Sequence, residues 1–157
     1  MGVEPLGRWW EAVDRRMASG MAAAGIPILR VSLAVVFIWF GLLKLTGHSP
    51  VVALIAHTVD WWPPDVFVPV LGLWEVAVGF RLLFKIALRL TLLLFWLQLA
   101  GTFSVLLLRP EIAFQAGHPL LLTVEGEFVV KNLVLIAAGL VIGGTVRQNR
   151  QAVDHEP

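Results

Sequence analysis

The chain has 157 residues, of which 58% are hydrophobic and 15% are charged, with a formal net charge of +1. Soluble domains contain about 45–50% apolar residues, so this composition excludes an ordinary soluble domain and predicts an integral membrane protein. Cysteine is absent, which excludes disulfides, thiol nucleophiles and cysteine-bound metal or iron–sulfur sites. The lysines and arginines lie in short flanks and form no single basic patch, so no nucleic-acid partner is expected.

The N-terminal region, residues 1–25, is predicted to be a cytoplasmic amphipathic arm. Trp9, Trp10 and Met17 recur at helical spacing within residues 4–18, and charged residues occupy the opposite side. Tryptophans on the apolar face favour a helix lying at the membrane surface. A solvated amphipathic helix is the alternative, because amphipathicity alone does not establish membrane contact.

Four apolar stretches follow, and each is long enough to cross a bilayer, which needs about 20 residues. The predicted spans are residues 26–46, 66–84, 86–108 and 126–146, followed by a cytoplasmic tail, 147–157. Ser49 and Pro50 predict the start of a short outer helix over 51–59, between the first two spans. Short connections favour an antiparallel four-helix transmembrane bundle, so the fold class is all-α integral membrane.

The positive charges predict the orientation of this bundle. All but three of the twelve Lys and Arg residues lie on one side of the four-span layout, the exceptions being Lys44, Arg109 and Lys131. By the positive-inside rule, both termini are expected in the cytoplasm and the protein in a bacterial inner membrane.

Glu75 is the acid that lies deepest in any predicted span, and a carboxylate there is expected to face the bundle interior with a partner. Lys44 and Lys131, near the ends of two other spans, are its predicted partners. Glu127 and Asn132 accompany Lys131, so these five residues are predicted to form a charged cluster in the outer half of the bundle. A supporting polar stripe is predicted from Arg30, Gln98 and Thr102.

This cluster has two interpretations from the residues alone. It is either an ion network that holds helices in place, since any intramembrane charge needs a partner, or a pocket in which the lysines attract an anionic or carbonyl group. A quinone headgroup, a lipid headgroup and a small acid would all fit such a pocket.

No pattern in the sequence predicts catalysis. The chain contains no nucleophile–base motif, no phosphate-binding loop and no zinc spacing. The four histidines lie outside the predicted spans, which argues against a haem ligated within the bundle. His48, His57 and His118 could meet at the outer surface, but unrelated loop histidines are the commoner case. Neither catalytic nor metal-binding residues are therefore predicted.

Short motifs in all four spans resemble the DoxX-like membrane proteins, and among them the YkgB-type branch, a domain of unknown function. The resemblance extends over residues 30–146, and Arg30, Gly41, Lys44, Glu75, Lys131 and Asn132 match motif positions. Asn132 stands where an aspartate is common in that branch. The motifs are Arg30-Val-Ser-Leu, Phe40-Gly-Leu-Leu-Lys44, Gly72-Leu-Trp-Glu75, Gly101-Thr-Phe-Ser104 and Gly126-Glu-Phe-Val-Val-Lys131-Asn132-Leu.

The resemblance implies a four-helix inner-membrane protein linked to redox or stress-defence functions. Some relatives are small subunits of a thiosulfate:quinone oxidoreductase. We therefore expect a non-catalytic protein that binds a small hydrophobic or anionic ligand, or a partner subunit, through the charged cluster. The alternative is a membrane subunit of a quinone-linked oxidoreductase, which would need a redox partner protein. No intrinsic cofactor is expected, and quinone is the one that the resemblance allows.

Overall fold

The structure is a computed structural model that describes residues 4–153, and this part of the chain is helical without a β-strand. Four of the described helical segments are long and apolar enough to cross a membrane: Trp9–Leu45, Pro64–Leu83, Leu88–Leu108 and Val124–Thr145. The prediction of four spanning helices is thus supported by both length and composition. The helices are α1 (Glu4–Leu45), α2 (Val52–Thr58), α3 (Pro64–Leu83), α4 (Leu88–Leu108), α5 (Pro110–Ala113), α6 (Val124–Val130) and α7 (Leu133–Val153).

The predicted break between an N-terminal arm and the first span is absent. Helix α1 runs from Glu4 to Leu45 as one helix of 42 residues, a length of about 63 Å at 1.5 Å per residue. Pro27 lies inside this helix and not in a first turn. Three alanines precede it, and alanine has the highest helix propensity of any residue, so the backbone continues through the expected boundary.

The short helix between the first two spans was predicted correctly, but its cap was not. Helix α2 covers Val52–Thr58, and Val51 occupies the N-cap position without a side-chain hydrogen bond. Ser49 instead lies in the loop after Gly47, whose φ of +74° allows the chain to turn away from α1. Helix α2 is therefore held by packing, through Leu54 and Thr58, which are both buried.

Glycines bring α1 and α3 into close contact. A Cβ atom added at Gly72 would lie 2.8 Å from the carbonyl oxygen of Gly41, and one at Gly79 would lie 2.8 Å from the carbonyl oxygen of Ala34. Small residues are common at such helix contacts in membranes because they let two backbones approach. We call this contact the glycine seam, and it positions the residues of α1 and α3 next to each other.

The main apolar core lies beside the glycine seam, where α4 and α7 complete the bundle. The rings of Phe37 and Phe95 lie 5.3 Å apart. Phe95 also fills the space above Gly139, where an added Cβ would meet its ring at 2.5 Å. The small-residue face of the fourth span thus contacts a neighbouring span. The buried residues of this core are Leu33, Ala34, Phe37, Val78, Leu82, Leu92, Phe95, Leu99, Ala138 and Ile142.

The fourth span is interrupted, contrary to the prediction of one helix over residues 126–146. Helix α6 ends at Val130 and α7 begins at Leu133. The N–H of Asn132 donates to the carbonyl of Val129 at 3.0 Å, three residues back instead of four. The Asn132 amide also donates to the carbonyl of Phe128 at 3.0 Å. An asparagine side chain that bonds nearby carbonyls competes with regular helix, which explains the interruption here.

The connection between α3 and α4 contains left-handed residues that are not glycine. Lys85 has a φ of +57° and Ala87 a φ of +43°. Replacing Ala87 with glycine should raise the free energy of unfolding by up to about 1 kcal/mol, because L residues pay a steric cost in this conformation. Equilibrium unfolding in mixed micelles would measure the change. Ala100→Gly, at an exposed position inside α4, is the matched control and should lower the free energy of unfolding. An equal decrease in both variants would contradict the expectation.

Candidate functional site: a buried ion pair beside a cavity

The centre of the site is a buried ion pair between α1 and α3. The ammonium of Lys44 lies 2.7 Å from Oε2 of Glu75, and the two residues are only 6% and 8% exposed. Gln98 of α4 donates from Nε2 to the other carboxylate oxygen, Oε1, at 2.8 Å. Three helices therefore meet at this carboxylate, and both of its oxygens are hydrogen-bonded. The prediction that Glu75 faces the bundle interior with Lys44 agrees with this geometry.

The glycine seam determines where this pair forms. A Cβ added at Gly72 would lie 2.9 Å from the Cβ of Lys44, so the lysine stem rests against the α3 backbone one turn before Glu75. The pair is fixed by main-chain packing as well as by charge.

Lys44 retains hydrogen-bonding capacity. An ammonium carries three N–H donors, and among the described residues Glu75 is its only hydrogen-bond partner. Leaving a buried donor unpaired costs about 1–3 kcal/mol. An acceptor that bonds to the remaining N–H groups of Lys44 would therefore be stabilising. The side chain borders a cavity, from which such an acceptor could reach it.

Glu127 and Lys131 are not part of this buried pair. Their side chains form a separate i,i+4 contact of 3.5 Å and are 58% and 75% exposed, respectively. The structure therefore contradicts the predicted convergence of Lys131 on Glu75. The reason is the orientation of α6, which buries Val129 completely and leaves Glu127 and Lys131 on its exposed side.

The remaining predicted residues divide between the site and the scaffold. Asn132 borders the cavity, although its amide is bonded to its own helix. Thr102 borders it too, and its hydroxyl donates to the carbonyl of Gln98 at 3.2 Å. Arg30 lies 14 residues before Lys44, or about 21 Å along α1, and is therefore remote from the site. Its Nε is buried and has no hydrogen-bond partner among the described residues.

The cavity occupies about 560 Å³ in the half of the bundle that carries α2. This volume falls within the range of about 300–1,000 Å³ that is typical of small-molecule sites. Most of its surface is apolar, and the polar side chains are concentrated around the ion pair. Aromatic walls and a few polar groups are the usual composition of a binding pocket. Prominent wall residues are Phe37, Phe40, Trp74, Leu99, Phe128 and Leu135.

Helix α2 and the two tryptophans after it form a roof over the cavity. Leu54, Trp61 and Trp62 border it from this side. The loop after α2 is tied to the end of α4 by Arg109, whose guanidinium lies 2.6 Å from Oδ2 of Asp60. Paired tryptophans are typical of a membrane interface, and here both are also part of the cavity wall.

Sequence reasoning identified the ion pair and left a pocket beside it as one of two interpretations, but it did not identify the residues that form the cavity walls. Phe37 and Trp74 carry no pattern that distinguishes a wall residue from a core residue, since both are aromatic residues in apolar helices. Trp74 reaches α4 by donating from Nε1 to the carbonyl of Leu94 at 3.3 Å. The one available signal was the concentration of aromatic residues near Lys44 and Glu75 in three of the spans.

Comparisons with protein-family models, with curated proteins and with solved structures found no match. What the site can do must therefore be argued from its geometry. Among residues 4–153, no three His, Cys, Asp or Glu side chains come together as a metal site.

Proposed function

We propose that this protein is a non-catalytic, multi-pass protein of the bacterial inner membrane that binds a small hydrophobic or anionic ligand in the outer half of its bundle. The observation that carries the proposal is the cavity of about 560 Å³ beside Lys44. The buried ammonium of Lys44 has N–H donors in addition to the one that bonds Glu75. The cavity is lined mostly by apolar side chains and reaches the buried ion pair, which is the usual composition of a small-molecule site.

The proposed orientation places both termini in the cytoplasm and the spans in an antiparallel, up-and-down arrangement. Contacts between α3 and α4 support it: Glu75 meets Gln98, and Arg81 meets Thr91 at 3.1 Å. Residues later in α3 thus pair with residues earlier in α4, as antiparallel neighbours do. Arg81, Lys85 and Arg89 surround the turn between these helices, and a cytoplasmic turn follows from the positive-inside rule.

The DoxX-like resemblance connects this binding function with redox chemistry or stress defence. A membrane subunit of a quinone-linked oxidoreductase is the second candidate, and the aromatic walls around Lys44 favour it because a flat ring could stack there while a carbonyl accepts from the ammonium. Lys44, Phe37 and Trp74 are the residues that would hold the ring. A bound quinone would supply electron transfer, and a partner protein would have to supply the substrate site.

The test is to purify the protein in mild detergent and identify bound molecules by native mass spectrometry and extraction. Wild type is compared with the double variant Lys44→Met/Glu75→Gln, which removes both charges together and leaves neither one unpaired. We expect a defined small molecule in wild type and at least about ten-fold less in the double variant, because one charge-assisted hydrogen bond is lost. A quinone in the extract would favour the oxidoreductase candidate.

The exposed pair provides the matched control. Lys131→Met/Glu127→Gln removes the same two charge types at a distance of 3.5 Å, outside the cavity, and should retain the ligand. Equal occupancy in all three proteins, or no specific molecule in wild type, would contradict the proposal and leave the ion pair with a purely structural role.

A further inference from the structure

The cavity reaches the lateral surface of the bundle between α3 and α4. Val70 of α3 and Leu97 and Leu108 of α4 all border the cavity, yet they are between 52% and 61% exposed. A residue that is both a cavity wall and exposed marks a place where the cavity is open. Because all three lie in helices long enough to span a bilayer, this opening faces lipid chains in the proposed membrane placement.

On the other flanks, neighbouring helices are in contact through aromatic rings and small residues. The rings of Phe40 and Phe128 lie 6.2 Å apart and cover the side between α1 and α6. The glycine seam closes the side between α1 and α3, and Phe95 packs against Gly139 between α4 and α7. The described side-chain hydrogen bonds between α3 and α4 involve Trp74, Glu75 and Arg81 of α3, and none of them reaches the first half of that helix.

Gly101 borders this opening. An added Cβ at Gly101 would meet no atom within 4 Å, although the residue lies in the middle of α4 and borders the cavity. The backbone of α4 at Gly101 therefore borders open space beside the cavity. A long apolar chain placed there would have its end near Lys44.

Charge determines what kind of headgroup fits at that end. Lys44 and Glu75 neutralise each other at 2.7 Å, so an additional carboxylate in the cavity would lie near Glu75 without a counter-charge of its own. Burying an unpaired charge in an apolar site is costly. A neutral oxygen acceptor, such as a ketone or ester carbonyl, satisfies the remaining donors of Lys44 without that cost.

We infer that the ligand is a neutral, single-chain amphiphile dissolved in the bilayer, which enters between α3 and α4 and places a carbonyl oxygen at the ammonium of Lys44. This inference rests on the proposed function and narrows it, since it selects a neutral carbonyl headgroup over an anionic one and a lipid-side entrance over an aqueous one. Quinones with a tail and fatty-acid esters share this chemistry.

The test uses two glycines in spanning helices. Gly101→Leu fills the open space beside the cavity, whereas Gly144→Leu adds the same side chain in α7, where an added Cβ also meets nothing within 4 Å and no cavity wall is nearby. Neither change creates a clash at the Cβ, so both variants are expected to fold.

The experiment compares four proteins in nanodiscs: wild type, Gly101→Leu, Gly144→Leu and Lys44→Met/Glu75→Gln. Each is titrated with methyl oleate, oleate and a decyl-substituted benzoquinone. Native mass spectrometry counts the bound molecules. We expect the ester or the benzoquinone to bind, and oleate to bind at least about ten-fold more weakly than the better of the two. Gly101→Leu should weaken that binding by about ten-fold or more, because the chain loses its space, and Gly144→Leu should not.

The outcomes separate this inference from the proposed function. If oleate binds as tightly as the neutral probes, the inference of a neutral headgroup is overturned. If Gly101→Leu binds the probes with wild-type affinity, the inference of an entrance between α3 and α4 is overturned. In both cases the proposed function stands if the double variant still loses the probe. If no probe binds to wild type, or if the double variant binds like wild type, the proposed function and this inference fail together.

Discussion

Glu75→Gln is expected to lower the free energy of unfolding by about 3 kcal/mol, because removing one partner of a buried ion pair leaves the other charge uncompensated. Lys44 is 6% exposed and has no second acid among its described hydrogen-bond partners. Lys44→Met alone should cost a similar amount, since it leaves Glu75 with Gln98 as its only partner. Membrane insertion should persist in both variants, because each substitution makes the span less polar.

The double variant Lys44→Met/Glu75→Gln should lose much less than the sum of the two single losses, with a coupling of about 2 kcal/mol or more. Equilibrium unfolding in mixed micelles measures all three. The same cycle on Glu127 and Lys131 is the control, and coupling there should stay below about 1 kcal/mol because both side chains are exposed. Additive losses in the buried pair would mean that Lys44 and Glu75 act independently.

Much of the buried pair was predictable from sequence because α1 and α3 are regular helices. Lys44 follows Gly41, and Glu75 follows Gly72, each three residues later. Helical spacing puts each charge on the same face as its glycine, and glycine faces are where helices approach in membranes. Two faces of this kind, each with one charge of opposite sign, predict both the contact and the ion pair.

The failed predictions have a common physical origin. Lys131 was expected in the cluster because it lies near the end of a span, but α6 buries Val129 against the bundle and leaves Lys131 exposed. The arm was separated from the first span because Gly25 and Pro27 resemble a boundary, yet α1 continues through them. Local signals of this kind compete with the helix propensity of neighbouring residues and with tertiary packing. A single sequence does not show which of these effects is the strongest.

A pocket at the charged cluster was one of the two interpretations of the sequence, but its walls were beyond prediction for a different reason. Its walls come from several helices and from the loop after α2. The shape of the cavity therefore depends on how these elements pack against one another, and not on any one of them. Trp61 and Trp62 are suited to a membrane interface by chemistry and to a cavity roof by position. Only the second role depends on where α2 packs, which no periodicity in the chain encodes.

Adding a single methyl group at Gly41 is expected to separate α1 from α3 and to lower the free energy of unfolding by about 1–3 kcal/mol or more. The new Cβ would lie 2.5 Å from the carbonyl oxygen of Gly72 and 2.8 Å from the backbone nitrogen of Val76. Both atoms belong to the main chain of α3, so no rotamer change can relieve the overlap. An added Cβ at Gly144 meets no atom within 4 Å, so Gly144→Ala should leave the free energy of unfolding unchanged or raise it slightly.

Gly72→Ala should have the same effect as Gly41→Ala, because its Cβ would meet the Gly41 carbonyl from the opposite side at 2.8 Å. Once either methyl group has pushed the helices apart, the second finds its space already open. The double variant should therefore lose little more stability than the worse single variant, a non-additivity that unfolding in mixed micelles would detect. Additive losses would mean that the two glycines lie at independent contacts. Since the seam also holds Lys44 against α3, both single variants should lose the bound ligand, whereas Gly144→Ala should keep it.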